Sequence, residues 1–347
     1  MKPQYFLALL LLASTYLLYM LYKPFWMSIT IAALLAMSTT NINKYFKKKT
    51  NSNMLGAMIT SLLLAILFFV PLSYFLTTLT LQINQIDSQI LQQVYNEANA
   101  WLQDTPIWLE PAKPYLKEAL DGLSLSNVAT NAITITAQLG SYSAAFLKSA
   151  FLVIIFYFFA HYYGERIVEF LKRVIKMSAQ DTTLLTRELS SVMGVVFYSI
   201  ITTAAFEGAL FGIAISFLGY NGLLFGIMYG FASLIPVVGG ILMWLPFMLF
   251  ELALGHTANA VFITIYSIVV ISIIADTFVK PFIIKEINVR FIKSSTYMNE
   301  MLIFFSIIAG LATFGFWGMI LGPAITSFFL ALLKLIEQKN ITENSNT

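Results

Sequence analysis

Residues 221–251 read NGLLFGIMYGFASLIPVVGGILMWLPFMLFE, an apolar stretch interrupted near its middle by Ile235-Pro236-Val237-Val238-Gly239-Gly240. Each half holds about 14 residues, or roughly 21 Å of helix at about 1.5 Å per residue. A bilayer core of about 30 Å asks for about 20 residues, so neither half crosses comfortably. Proline followed by paired glycines leaves backbone carbonyls and amides unbonded, and such groups survive in a membrane only where protein or a water-filled cavity surrounds them. The stretch therefore reads as a re-entrant helical hairpin around Pro236 to Gly240. Two short full spans would satisfy the same loop charges.

The sequence on either side makes lipid the solvent for most of the chain. Of 347 residues, 59% are hydrophobic and only 11% charged, and the mean hydropathy is +0.79. A water-soluble fold of this size could not cover its surface with polar groups. Pro3 to Tyr22, Met54 to Ile86, Gly208 to Phe250, Leu252 to Ala275 and Met301 to Leu333 carry no Asp, Glu, Lys or Arg. The expected fold is all-α, a polytopic bundle with about eight spans set by helix length. They are Tyr5 to Tyr22, Phe25 to Asn41, Leu55 to Thr78, Ser141 to Tyr163, Ser191 to Leu218, Ala258 to Val279, Tyr297 to Phe316 and Trp317 to Leu335. The first apolar run has no small-x-small cleavage site and is read as a retained helix.

Loop charges orient these spans, because short cytoplasmic loops carry excess Lys and Arg. Lys44, Lys47, Lys48 and Lys49 follow the second span with no acid among them, which places that loop and both termini in the cytoplasm. Gln82 to Gly140 holds Asp87, Glu97, Asp104, Glu110, Glu118 and Asp121 against Lys113 and Lys117, and is expected outside. Ile83, Ile86, Ile90, Val94, Trp101 and Leu102 recur there at helical spacing, the mark of an amphipathic extracytoplasmic segment. Five regions result: N-terminal spans over 1–80, the extracytoplasmic segment over 81–140, a fourth span with a cytoplasmic helix extension over 141–190, a region of broken helices over 191–336, and a disordered cytoplasmic tail over 337–347.

Several functions are excluded by residue type. The chain has no Cys and only two His, so disulfides, thiolate chemistry and a histidine metal cluster are not expected. No Walker loop, His-Glu-x-x-His, Gly-x-Ser-x-Gly elbow or dinucleotide fingerprint occurs. The net charge of +3 sits in short loops, where it orients helices rather than binding nucleic acid. Neither an enzyme nor a resident cofactor is expected.

Nine of the 18 glycines fall between Gly208 and Gly255; small residues at spacings of four let membrane helices approach closely. A second interruption, Gly315-Phe316-Trp317-Gly318-Met319-Ile320-Leu321-Gly322-Pro323, is similar to the first, although a plain turn between the last two spans explains it as well. Ionisable groups within spans are costly and so mark candidate sites. Glu207 lies inside the fifth span, with Thr202 and Thr203 one turn earlier. A carboxyl group held there can exchange a proton for a bound ion or solute, or can simply serve helix pairing. Asp276 and Lys280 stand four apart on one helix face, ahead of Pro281, and can form an ion pair. Glu251, Glu300 and His161 fall near expected membrane boundaries and read as solvated.

Phe206-Glu207-Gly208-Ala209-Leu210-Phe211-Gly212-Ile213, then Ile235 to Gly240 and Pro246, then Asp276-x-x-x-Lys280-Pro281-x-Ile283-Ile284, then Ala309-Gly310 and Phe314-Gly315-x-x-Gly318-x-x-x-Gly322-Pro323 together resemble the autoinducer-2 exporter family of bacterial membrane proteins. The resemblance covers nearly the whole chain, and its specific motifs lie between Ser191 and Leu335. It implies a transporter of the bacterial inner membrane with no soluble cofactor, driven by a Na+ or H+ gradient or by the solute's own gradient. Members are associated with export of autoinducer-2 and with sodium–proton antiport. Carried over by motif, Pro236, Gly239, Gly240, Gly322 and Pro323, with Glu207, would line the substrate or ion pathway, and Asp276, Lys280 and Pro281 would form a coupling or gating pair. Glu207 departs from the family's pattern, in which an amide is common there.

The expected function is a secondary transporter exporting a small polar organic signal such as autoinducer-2, with the lipid bilayer as partner and the N-terminal spans serving as a scaffold or homo-oligomer interface. A cation–proton antiporter and a non-transporting membrane scaffold are the alternatives. Proteoliposome flux with imposed sodium gradients separates the first two. Unchanged flux after Ala replacement of Pro236, Gly239 and Gly240 would favour the third.

Overall fold

A computed structural model describes residues 3–83, 125–175, 179–235, 239–279 and 300–344, together with isolated residues within 96–117 and residues 282, 285 and 286. Among the described residues every regular element is a helix. They are α1 (Pro3–Tyr22), α2 (Trp26–Ser38), α3 (Thr40–Thr50), α4 (Asn53–Ile83), α5 (Leu125–Ile175), α6 (Ala179–Phe217), α7 (Gly222–Ala232), α8 (Gly239–Ala253), α9 (Thr257–Ile265) with a π-helix over Tyr266–Val279, α10 (Glu300–Phe314) and α11 (Gly318–Asn344). The greater part of the expected extracytoplasmic segment lies outside the described residues. Helix α11 carries on through Glu337 to Asn344, over most of the expected tail.

Among the described residues six helical stretches are long and apolar enough to cross a membrane: Tyr5–Ser38, Asn53–Thr78, Ala144–Val174, Leu185–Phe217, Thr257–Val279 and Met301–Glu337. The eight expected segments fall into six because two stretches each contain a pair of helices joined by one 3-10 turn. Lys23–Phe25 joins α1 to α2, with Pro24 in its first positions, and Gly315–Trp317 joins α10 to α11. Large apolar side chains are exposed along these stretches, among them Leu7, Leu11, Leu12, Leu62, Val70, Phe151, Phe217 and Phe329. A soluble protein does not present apolar area on this scale.

The chain forms two compact units. One comprises Met1–Ala65, Ala145–Gly194 and Ser295–Thr347. Its core is built from stripes at helical spacing: Ile31, Leu35 and Ser38 on α2; Ala57, Thr60, Ser61 and Leu64 on α4; Ala150, Val153, Tyr157 and His161 on α5. Some of the buried polar groups are paired, as burial in an apolar medium favours, while Ser61 Oγ has no hydrogen-bond partner. Thr39 Oγ1 lies 2.6 Å from Tyr157 OH and 3.1 Å from His161 Nε2. His161 is thus a buried member of a polar seam and not a solvated boundary residue.

In the same unit, α10 and α11 run back along each other at a crossing that only small residues permit. A methyl group at Gly310 would stand 2.0 Å from the Gly318 carbonyl oxygen, and one at Gly322 1.9 Å from that of Ser306. Ser306 Oγ donates to Thr326 Oγ1 across the pair, at 2.8 Å. Gly315 turns the chain at φ 63°, a left-handed conformation costly for other residues.

The other unit comprises Ile66–Ala144 and Val195–Ser294. Here α6 and α7 repeat the same device: Gly212 faces Gly222, Gly208 faces Gly226 and Ala204 faces Gly230, each pair so close that an added methyl would meet a carbonyl oxygen at 2.7 Å or less. The turn between them is made at Gly219, φ 85°, and Asn221 caps α7 by accepting from Leu224 N at 3.0 Å. The likeness of the two glycine-rich interruptions is therefore a likeness of crossing and turn. It stops there, because α11 runs unbroken through Gly322 and Pro323.

Helix α7 has 11 residues and α8 has 15, about 16 Å and 22 Å long. They pack on each other, and their outer ends meet where the Tyr220 hydroxyl donates to Glu251. The pair is therefore a hairpin with its tip around Ser233 to Gly239. Phe211, Ile215, Tyr229, Phe247, Ile263 and Ile271 form the core that α6, α7, α8, α9 and the π-helix share. An ordinary α-helix was expected from Ala258 to Val279, but after Ile265 the winding loosens to π. Ser272 Oγ there donates to the carbonyl five residues back, Ser267 O, at 3.2 Å.

Candidate functional site

The second unit holds Glu207, Gly239, Gly240 and Asp276, four of the six described residues that the sequence singles out as site candidates. Thr203, Glu207, Phe211 and Ile215 recur every four residues along α6 and so share a face; all four are buried, Glu207 to 5% exposure. The Gly208–Gly226 crossing lies one residue beyond Glu207 and holds α6 and α7 backbone to backbone. Phe211 stacks on Tyr229 of α7 at 4.5 Å, and Tyr229 is itself buried with its hydroxyl at the tip. A methyl group at Gly240 would come within 2.7 Å of that oxygen.

The tip is drawn tight by backbone bonds. Leu234 N donates to Phe231 O at 3.3 Å, Ile235 N to Ala232 O at 2.9 Å and Gly239 N to Ile235 O at 2.9 Å. Tightened turns of this kind use up the carbonyls that a helix end leaves free. Gly239 sits so close to Ala232 that an added methyl would stand 1.9 Å from its carbonyl oxygen. Glycine at 239 is thus demanded by the return of the chain.

The remaining predicted residues do not all come here. Pro236 lies outside the described residues, as do Lys280 and Pro281. Asp276 falls in the π-helix. Gly322 and Pro323 are buried in α11 of the first unit, where Gly322 serves the crossing with α10.

A polar centre at the outer ends of the hairpin went unread in the sequence. Glu251 closes α8 and is completely buried, contrary to its expected place at a solvated boundary. Its Oε1 accepts the Tyr220 hydroxyl, and its Oε2 lies 3.1 Å from His256 Nδ1 and accepts from Asn259 Nδ2 at 2.8 Å. His256 N also donates to the Glu251 carbonyl at 2.9 Å. Burial, then the hydrogen bond to Glu251 and its charge, push the Tyr220 phenol well above the ordinary tyrosine range. The centre ties the α6–α7 turn, the end of α8 and the start of α9 into one knot. Glu251 is the only acid between Gly208 and Ala275, a signal that could have flagged it.

A family model described as AI-2E family transporter matches residues 5–338. A protein of Helicobacter pylori (strain J99 / ATCC 700824) named "Putative transport protein" is 33% identical over 347 residues, covering 100% of this chain and 99% of its own length. Its counterpart of the same name in Helicobacter pylori (strain ATCC 700392 / 26695) is 34% identical over 337 residues, 97% of each chain. A more distant "Putative transport protein" of Aquifex aeolicus (strain VF5) is 24% identical over 312 residues, 86% of each.

Proposed function

Because the chain belongs to the AI-2E family of transporters, a multi-pass membrane protein in that capacity, we propose that it is a secondary transporter whose solute passes through the interior of the second unit beside the α7–α8 hairpin. The hairpin is re-entrant on this reading. It enters from the extracytoplasmic side and turns back within the membrane, while eight crossings leave both termini in the cytoplasm of a bacterial inner membrane. Arms of about 16 Å and 22 Å fall short of a hydrocarbon core of about 30 Å, and their outer ends are joined through Tyr220 and Glu251.

The observation that carries the reading is the burial of Glu207 on the same α6 face as Phe211, beside a backbone crossing and a helix break. A carboxyl group inside a span is retained at a cost, and such groups mark ion and proton pathways. Broken helices at mid-depth are where many secondary transporters hold their ligands. Glu207 would couple movement of a small polar solute, outward in direction, to an ion gradient.

The test is flux in reconstituted vesicles, with candidate solutes including autoinducer-2 and with sodium or proton gradients imposed singly. Wild-type protein is expected to give gradient-dependent flux that Glu207→Gln abolishes. Full gradient-dependent flux in Glu207→Gln would remove the coupling role. Proton movement on adding sodium, with no organic solute required, would replace the exporter by a cation–proton antiporter.

A further inference from the structure

Helix α3 stands in the first unit between two membrane-length stretches, Tyr5–Ser38 and Asn53–Thr78. Its sequence, TNINKYFKKKT, holds four lysines and no acid. Like charges at helical spacing repel one another, so such a run is kept at a cost unless an anion offsets it.

Packing sorts the four lysines onto two faces. The inward face carries buried Asn43 with half-buried Phe46, Lys47 and Thr50. It is fitted to α4, where Thr60 Oγ1 lies 3.5 Å from Asn43 Oδ1 and a methyl group at Gly56 would stand 2.8 Å from Lys47 N. The Lys47 ammonium meets Glu165 of α5 at 3.4 Å. The outward face carries Lys44, Lys48 and Lys49 with Tyr45, all exposed. Lys44 and Lys48 are one turn apart, and Lys49 follows within about 8 Å of Lys44 along the axis. Among the described residues none of these three forms an ion pair.

The height of this face decides what meets it. Because Asn43 stands against Thr60 and Lys47 against Gly56, α3 runs alongside the first two turns of α4. Those turns expose Met54, Leu55 and Met58, apolar side chains of the kind that meet acyl chains. The three lysines therefore stand where apolar surface gives way to charge, at the edge of the hydrocarbon layer. Tyr45, 60% exposed, is of a type that collects at that edge. A free anion would use only the charges, whereas an amphiphile with an anionic head uses both features, and basic residues beside a spanning helix attract such lipids. We propose that the outward face of α3 binds the headgroup of an anionic phospholipid through Lys44, Lys48 and Lys49. The site belongs to the first unit and does not depend on which solute the second unit carries.

The experiment is a thermal-unfolding titration of the full-length protein in micelles of an uncharged detergent, adding phosphatidylglycerol or, in parallel, phosphatidylcholine with the same acyl chains. Wild-type protein is expected to show a saturable rise in Tm with phosphatidylglycerol, since a ligand bound only to the folded state stabilises it. The half-effect concentration is expected at least about tenfold below that of phosphatidylcholine, and to rise with added salt, which screens exposed charges. A triple variant, Lys44→Gln with Lys48→Gln and Lys49→Gln, is expected to abolish the difference between the two lipids, and Lys48→Gln alone to narrow it about fivefold. The corresponding triple change to Arg, which keeps the charges, is expected to retain the preference. So is Lys23→Gln, whose exposed charge lies at the other end of α2, about 20 Å away. Equal half-effect concentrations for the two lipids in wild-type protein overturn the assignment, as does a preference that survives in the triple Gln variant. An equal rise in Tm with inorganic phosphate at the same concentrations overturns it too, because the face would then serve any small anion.

Discussion

Asn259 reaches across the α8–α9 turn to Glu251, its Nδ2 2.8 Å from Oε2, and by that bond the first turn of α9 is fastened to the last turn of α8. Tyr220 and His256 hold the same carboxyl group from two other directions. Removing the acceptor takes the common partner from the half-buried Tyr220 and Asn259 and from the exposed His256. Glu251→Ala is expected to destabilise the protein by about 2–4 kcal/mol, read as a fall in Tm of about 5 °C or more. Glu251→Gln, which keeps one acceptor and the volume, is expected to cost less than half of that. Equal Tm values for both variants and wild type would show that the knot carries no stability.

Tyr220 supplies a pH prediction. Its phenol is pushed above the ordinary value of 10.0, so the protonated form is favoured in the folded state. The bond to Glu251 is then present in full below pH about 10 and is lost only as pH rises through the elevated folded value. An alkaline absorbance titration is expected to give the same phenolate signal for wild type and Tyr220→Phe up to about pH 11, because Tyr220 contributes none of it. A deficit in Tyr220→Phe near pH 10 would place the phenol in ordinary solvent.

The α10–α11 crossing predicts opposite signs for two Gly→Ala changes. At Gly318 an added methyl would stand 1.8 Å from the Gly310 carbonyl oxygen, whereas at Gly164 on α5 nothing lies within 4 Å. Gly318→Ala is expected to cost about 1–3 kcal/mol or more by forcing the helices apart. Gly164→Ala is expected to stabilise by about 0.5–1 kcal/mol through helix propensity. Thermal unfolding of the two variants side by side checks both.

Gly239→Ala tests whether the hairpin tip matters to transport. Its methyl would collide with the Ala232 carbonyl, so the chain cannot return along the same path. Flux is expected to fall at least about tenfold, with expression and detergent monodispersity close to wild type, because the change is confined to the tip. Undiminished flux would leave the tip without a transport role.

How far the sequence could be read follows from which properties are local. Helix class, the lengths of the apolar stretches, the short arms on either side of Pro236 and the turn at Gly315 to Trp317 all follow from hydropathy, rise per residue and backbone preference. Each is set by residues close together in the chain. The burial of Glu207 was legible for the same reason, since a lone acid within a long charge-free span has no water to reach.

Glu251 was misread because an acid beside Gly255 and His256 at a helix end ordinarily meets solvent. What shields it is Tyr220, 31 residues away. His161 was misread similarly, its partner Thr39 lying 122 residues back. The pairing of Gly208 with Gly226 and of Gly310 with Gly318, and the π winding from Tyr266, depend on which groups face each other once helices pack. Local chemistry determined that this chain makes apolar helices with breaks at stated places. Only the tertiary structure decided which of its few polar groups are enclosed together, because burial belongs to the surroundings of a residue and not to the residue.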